Sequence, residues 1–234
     1  MKFLGEGNIK VIAFDADDTL WVNETYFREA ENEFAKLLSQ FETENKIHQE
    51  LFKKEISNLP LYGYGIKGFV LSMLECALEL SNHKLEPALV NKILDIGKRM
   101  LTKPIELLDG VEEVLQKLQG KYKLIVATKG DLLDQEKKLE KSGLLKYFHH
   151  VEVMSEKKEA DYIKLLKHLD IKPSELLMIG NSLKSDVLPL LSVGASAIHI
   201  PFHTTWAYET IKENEKANFT YKTLSSIKEL LSCI

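Results

Sequence analysis

The run Val11-Ile12-Ala13-Phe14-Asp15-Ala16-Asp17-Asp18-Thr19-Leu20 decides how this chain is to be read. Four apolar residues, short and partly β-branched, stop at a cluster of carboxylates. That is the pattern of a buried parallel strand with polar groups at its carboxyl end. Three later segments share the form: Leu124-Ile125-Val126-Ala127, Leu176-Leu177-Met178-Ile179 and Ala197-Ile198-His199-Ile200. Each ends at a polar or glycine-bearing turn. Helical patterns lie between them, such as Val111, Val114, Leu115 and Leu118 ahead of the second strand. This alternation predicts an α/β fold, a parallel sheet covered by helices on both faces.

One long segment interrupts the alternation. Residues 22–103 contain no good strand, only helical periods. Phe27, Ala30, Phe34, Leu37, Leu38 and Phe41 fall on one face. Val70, Leu71, Leu74, Ala77 and Leu78 make a second, and Leu89, Ile93, Ile96 and Met100 a third. Pro60 and the Gly63/Gly65 pair punctuate the middle, and Pro104 closes the segment. About 80 residues are far too many for a connection, whose median is about 4–6. The pattern predicts an all-helical domain, residues 22–103, inserted into a core made of residues 1–21 and 104–234.

Composition bounds the function classes. The 234 residues, at about 150 per domain, suit one large domain or two smaller ones. A hydrophobic fraction of 44% and a charged fraction of 28% are those of a soluble globular chain, not of a disordered or fibrous one. No stretch reaches the ~18–20 apolar residues of a membrane span. Met1-Lys2-Phe3-Leu4-Gly5-Glu6 lacks a signal-peptide apolar core, so a cytoplasmic location is expected. Cys76 and Cys233 match no zinc spacing and read as reduced thiols. A net charge of −4 argues against a nucleic-acid surface. Nothing in the sequence bears on oligomeric state.

Ligands of open α/β sheets bind beyond the carboxyl ends of the strands. Four separated places in the chain supply residues there: Asp15, Asp17, Asp18 and Thr19; Thr128-Lys129-Gly130; Ser155-Glu156-Lys157-Lys158; and Gly180-Asn181-Ser182 with Ser185 and Asp186. Close carboxylates repel, and a divalent cation with oxygen ligands relieves the repulsion. Asp15 could then attack phosphorus as a covalent nucleophile, and Asp17 could move protons to and from the leaving and attacking oxygens. Thr128, Lys129 and the loop amides could hold phosphoryl oxygens, and a lysine would offset the excess negative charge.

At these residues the chain resembles the haloacid dehalogenase superfamily, specifically its phosphatases. The family's first motif stands as Asp15-Ala16-Asp17-Asp18-Thr19-Leu20, its second as Val126-Ala127-Thr128, and its fourth resembles Gly180-Asn181-Ser182-Leu183-Lys184-Ser185-Asp186. The third-motif lysine is Lys157 or Lys158, with Lys157 the better match. The resemblance implies a Rossmann-like core with a helical cap inserted after the first motif. It implies hydrolysis of a phosphorylated small molecule through an aspartyl phosphate, with Asp15 as nucleophile and Asp17 as acid and base. It further implies Mg²⁺ bound by Asp15, the Asp17 main-chain oxygen and Asp186, and a phosphoryl group held by Thr128, Lys129, Lys157 and Asn181. Many relatives carry an acid where this chain has Asn181, which makes Asn181 a water-bridged contact in that scheme. A phosphomutase, or a catalytically weak binding protein of the same superfamily, is the alternative. The dehalogenase branch lacks the second aspartate.

Other features have plainer readings. Gly63-Tyr64-Gly65-Ile66-Lys67-Gly68 matches G-x-G-x-x-G, but Leu59-Pro60-Leu61-Tyr62 is a poor strand and no acidic strand end follows. A glycine-rich turn between two helices fits better, and with Tyr62 and Tyr64 it could influence substrate choice. His199 and His203 are separated by Pro201 and suit packing or capping. Trp21 is expected to pack at the hinge between core and insertion, and the His149-His150 pair suggests no role.

Overall fold

Val11, Ile12, Ala13 and Phe14 form β1 (Val11–Phe14), and all four side chains are buried. In the computed structural model, which describes residues 9–212 and 219–234, β1 is paired on both sides. Residues 1–6, on which the expectation of a cytoplasmic location rests, lie outside the described residues. The other strands are β2 (Lys123–Lys129), β3 (His150–Met154), β4 (Leu176–Gly180), β5 (Ser196–His199) and β6 (Lys222–Thr223). They make one sheet of order β3-β2-β1-β4-β5-β6, and every pairing is parallel.

Register sets the strand ends level. Phe14 lies opposite Val126 on one side and Ile179 on the other. Asp15, the residues just past Val126, and Gly180 therefore emerge along one edge, and Asp15 N–H donates to the Ile179 carbonyl at 2.9 Å. The pleat of β1 divides the core. Ile12 and Phe14 join the apolar face of α5 (Val111–Leu118) together with Leu224, Ile227 and Leu230. Val11 and Ala13 join Tyr162, Leu165 and Leu166 of α7 (Glu159–Leu169) on the opposite face. Each fully buried Leu or Ile contributes about 1.5–3 kcal/mol relative to exposure, so both faces drive the same strand inward.

Strands β3 and β6 carry no apolar run that announces them. They are the sheet's edges, where one side of the strand meets solvent and polar residues such as His150 and Glu152 are tolerated.

The chain divides into two compact units. The first comprises Met1–Val22, Ile105–Lys129 and Glu136–Ile234, and the second comprises Asn23–Pro104 with Gly130–Gln135. The second unit contains α1 (Glu24–Leu37), α2 (Glu44–Tyr62), α3 (Ile66–Leu80) and α4 (Pro87–Thr102). Phe34, Leu38, Ile47, Leu51, Met73, Ile93 and Ile96 fill its core. One expected face is rotated: α3 turns Phe69, Met73, Cys76 and Ala77 inward, whereas Leu71 and Leu78 are exposed. Apolar residues surround this helix almost completely, so its period did not single out one face. Burial pushes the Cys76 thiol up to about 12, consistent with an unreactive free cysteine.

The three glycines of the G-x-G-x-x-G pattern build the α2–α3 turn. Gly63 (φ 70°) follows α2 and Gly65 (φ 105°) precedes α3, both in a region that L side chains rarely adopt. A Cβ at Gly68 would meet the Gly63 carbonyl at 2.8 Å. The Gly130–Gln135 segment belongs to this unit through Lys67, whose ammonium donates to Asp131 at 2.8 Å. Among the described residues, no helix is long and apolar enough to cross a membrane.

Candidate active site

The strand ends of the first unit bring Asp15, Lys157 and Asp186 into one buried cluster. Lys157 Nζ donates to Asp15 Oδ1 at 2.6 Å and to Asp186 Oδ1 at 2.7 Å. Its side chain is 1% exposed, whereas Lys158 is 69% exposed and lies 3.9 Å from Glu156. The position of the third-motif lysine is thus taken by Lys157. Burial pushes Asp15 up to about 7, even though Lys157 opposes that shift, and Asp186 and Asp17 add to it. Burial alone would lower Lys157, but Asp15 and Asp186 outweigh it and hold the ammonium well above its ordinary value. One cation between two carboxylates leaves an uncompensated negative charge in a desolvated place.

Asp186 occupies a stretch of π-helix, Leu183–Val187, which runs into α8 (Leu188–Ser192). Its second oxygen accepts the Ser182 N–H at 2.9 Å, so both oxygens of this carboxylate are engaged. Gly180 permits the close approach: a Cβ there would lie 2.3–2.5 Å from the Asp186 side chain. Thr19 Oγ1 lies 3.1 Å from Asp15 Oδ2 and 3.3 Å from Asn181 Oδ1. One hydroxyl proton fully satisfies only one of these two acceptors.

Asp17 is more open, with a side chain 24% exposed. Its Oδ1 accepts from the Trp21 indole N–H at 2.7 Å and from Lys138 Nζ at 3.0 Å. Trp21 is buried within the core of this unit, and its polar edge orients Asp17. Lys138 belongs to α6 (Leu132–Lys141), inside a charged run that carries no sequence signal.

Thr128 is buried, and its hydroxyl donates to the Lys129 carbonyl at 3.2 Å. Lys129 Nζ reaches Glu209 Oε1 at 2.7 Å and Ser185 Oγ at 2.9 Å. Ser182 and Ser185 hydroxyls donate to the other Glu209 oxygen at 2.5 and 2.6 Å. Burial would raise Glu209, but Lys129 outweighs it and holds the carboxyl below its ordinary value. Glu209 follows β5, so the strand-end rule that found the other residues could have found it as well. His199 Nε2 lies 3.0 Å from the Asn181 carbonyl, while His203 pairs with Thr204 at 2.8 Å. The two histidines thus have separate partners.

The candidate ligand atoms, Asp15 Oδ2 and Asn181 Oδ1, are oxygens, the chemistry a hard divalent cation takes. The two acceptors that share the Thr19 proton leave lone pairs for it. The residues present therefore fit such an ion.

Comparison with known proteins bears on the same residues. The family model for haloacid dehalogenase-like hydrolases matches residues 9–194. A crystal structure of a haloacid dehalogenase-like family hydrolase from Xanthomonas campestris is 40% identical, covers 85% of this chain and 84% of its own, and superposes with a TM-score of 0.79. The N-acylneuraminate-9-phosphatase of Homo sapiens is 23% identical over 205 residues, 83% of each chain. A haloacid dehalogenase-type phosphatase from Thermococcus onnurineus shares the fold at 20% identity, with a TM-score of 0.62 over 96% of this chain and 97% of its own. The match runs from just before β1 past Asp186 and takes in the strand-end segments that carry Asp15, Thr128, Lys157 and Asp186, and the chain belongs to the haloacid dehalogenase-like hydrolase family.

Proposed function

We propose that this hydrolase is a Mg²⁺-dependent phosphatase that cleaves a small-molecule phosphate monoester through an aspartyl phosphate on Asp15. The observation that carries the reading is the Lys157 ammonium held between Asp15 and Asp186, with the half-open carboxyl of Asp17 beside them. The likeness to a human phosphatase along most of the chain supports the same reaction class.

The ion would be held by Asp15, the Asp17 main-chain oxygen and Asn181. Asp186, engaged at both oxygens, would act through Lys157 by fixing the ammonium against the nucleophile. When bound, Mg²⁺ supplies the positive charge that keeps Asp15 ionised and draws charge from the phosphoryl oxygens. An Asp15 carboxylate oxygen forms the new bond to phosphorus as the ester P–O bond breaks, and Asp17 gives its proton to the leaving oxygen. Asp17, now ionised, takes a proton from water as the water oxygen bonds to phosphorus and the P–O bond to Asp15 breaks. Thr128 and Lys157 face the phosphoryl oxygens in this scheme. Lys129, balanced by Glu209, fixes the loop ends beside them.

Hydrolysis of p-nitrophenyl phosphate tests the reading. Release that requires Mg²⁺, stops in EDTA and is lost in Asp15→Asn is expected. Full activity in Asp15→Asn or in EDTA would end it. Asn181→Ala is expected to raise the Mg²⁺ concentration needed for half-maximal activity, whereas Asp186→Asn lowers kcat with little change in that concentration.

A further inference from the structure

Away from the strand ends, one set of metal-ligating side chains converges among the described residues: His150, Glu152 and His168. His150 and Glu152 are two apart on β3, so both project from the same face of the edge strand. His168 stands in the last turn of α7, and its ring meets that of His150 edge-on with centroids 5.0 Å apart. Glu152 Oε2 lies 2.8 Å from His150 Nε2 and 3.5 Å from His168 Nδ1. One donor atom from each residue falls within 4.8 Å of the other two.

Two of these separations lie close to those of a coordination shell. Tetrahedral ligands at about 2.0–2.1 Å from Zn²⁺ stand about 3.3–3.4 Å from one another, and two of the three spacings bracket that value. Two imidazole nitrogens and one carboxylate form a borderline donor set, which favours Zn²⁺ over Mg²⁺. The side chains are 30%, 29% and 61% exposed, so an ion can enter from solvent and keep water as its fourth ligand.

We propose that His150, Glu152 and His168 form a Zn²⁺ site, separate from the strand-end cluster, that staples the start of β3 to the end of α7. The segment between those elements, residues 155–158, presents Lys157 to Asp15. Zn²⁺ bound at the base of this strand–loop–helix unit opposes its opening, because binding that exists only in the folded unit adds to its stability.

The experiment is calorimetric titration of the full chain with Zn²⁺ in excess Mg²⁺, which keeps the hard oxygen site occupied. The unsubstituted chain is expected to bind with a micromolar or tighter Kd. His150→Ala and His168→Ala should each weaken that event by about tenfold or more, and the double variant should lose one equivalent. Thermal denaturation should show Zn²⁺ raising Tm by about 2 °C or more in the unsubstituted chain and not in the double variant. Far-UV circular dichroism of the metal-free double variant establishes that it is folded, independently of any phosphatase activity. Unchanged Zn²⁺ stoichiometry and affinity in the double variant would overturn the site. Binding confined to the millimolar range, an adventitious ion only, would overturn it as well.

Discussion

Two lysines stand at the carboxyl end of the sheet, and their charges are balanced differently. Lys157 lies between two carboxylates, Asp15 and Asp186, and its cluster keeps a surplus negative charge. Lys129 is paired with the Glu209 carboxylate, which also accepts from the hydroxyls of Ser182 and Ser185. The consequences run in opposite directions: Asp15 is pushed up to about 7, while Glu209 is held below its ordinary range. A lysine matched by a carboxylate that the loop hydroxyls also bond serves to fix the loops. A surplus charge kept in a desolvated place is costly unless something positive arrives, and that is the signature of a working site.

Four substitutions or conditions sharpen or break that contrast. The largest effect is expected from Asp17→Asn, which leaves the buried cluster intact but removes the proton carrier. Its kcat should fall about 10²–10⁴-fold, with Mg²⁺ binding retained in a calorimetric titration, and an unchanged kcat would remove the assigned role. Lys157→Met should lower kcat by about 10²–10³-fold and should also destabilise the fold, since two buried carboxylates then face each other uncompensated. Adding Asp15→Asn to that variant should restore part of the lost stability in chemical denaturation.

Glu209→Gln probes the balanced cluster, where the loss should be structural. Its stability is expected to fall by about 2–3 kcal/mol, less than the 3–5 of a fully buried pair because both side chains keep some exposure. Its kcat should stay within about tenfold; a catalytic collapse without destabilisation would erase the distinction between the two lysines. The gentlest test is pH. Because the folded chain holds a proton on Asp15 up to about 7, against about 4 when unfolded, folded molecules bind more protons between those values. Stability of the metal-free protein should therefore fall as pH rises from about 4 to about 7. The difference in Tm between it and Asp15→Asn should follow that window, and saturating Mg²⁺ should reduce the slope.

Much of the site could be read before the fold was known. Asp15, Asp17, Thr128 and Asn181 follow apolar runs, and strand-end chemistry needs only the runs to be recognised. Glu209 was open to the same rule but stands further along its loop. Lys138 and the polar edge of Trp21 were not legible, because both reach Asp17 across a turn or from another element. The α3 face was misread for a related reason: a helix apolar nearly all round has no phase of its own until its neighbours choose one.

The sequence by itself determined the alternation of strands and helices, the helical insertion between β1 and β2, and the order in which acids, hydroxyls and lysines meet the strand ends. These are local properties, carried by hydrophobic period and turn chemistry over a few residues. Tertiary structure alone decided that Lys157 and not Lys158 is buried, that Asp186 is engaged at both oxygens, that Lys129 is neutralised by Glu209, and that His168 comes to His150 and Glu152. Each depends on strand register and helix phase across residues far apart in the chain. Side chains acquire partners only when the pairing of β1 with β2 and β4 sets the strand ends level and the helices take their places against the sheet.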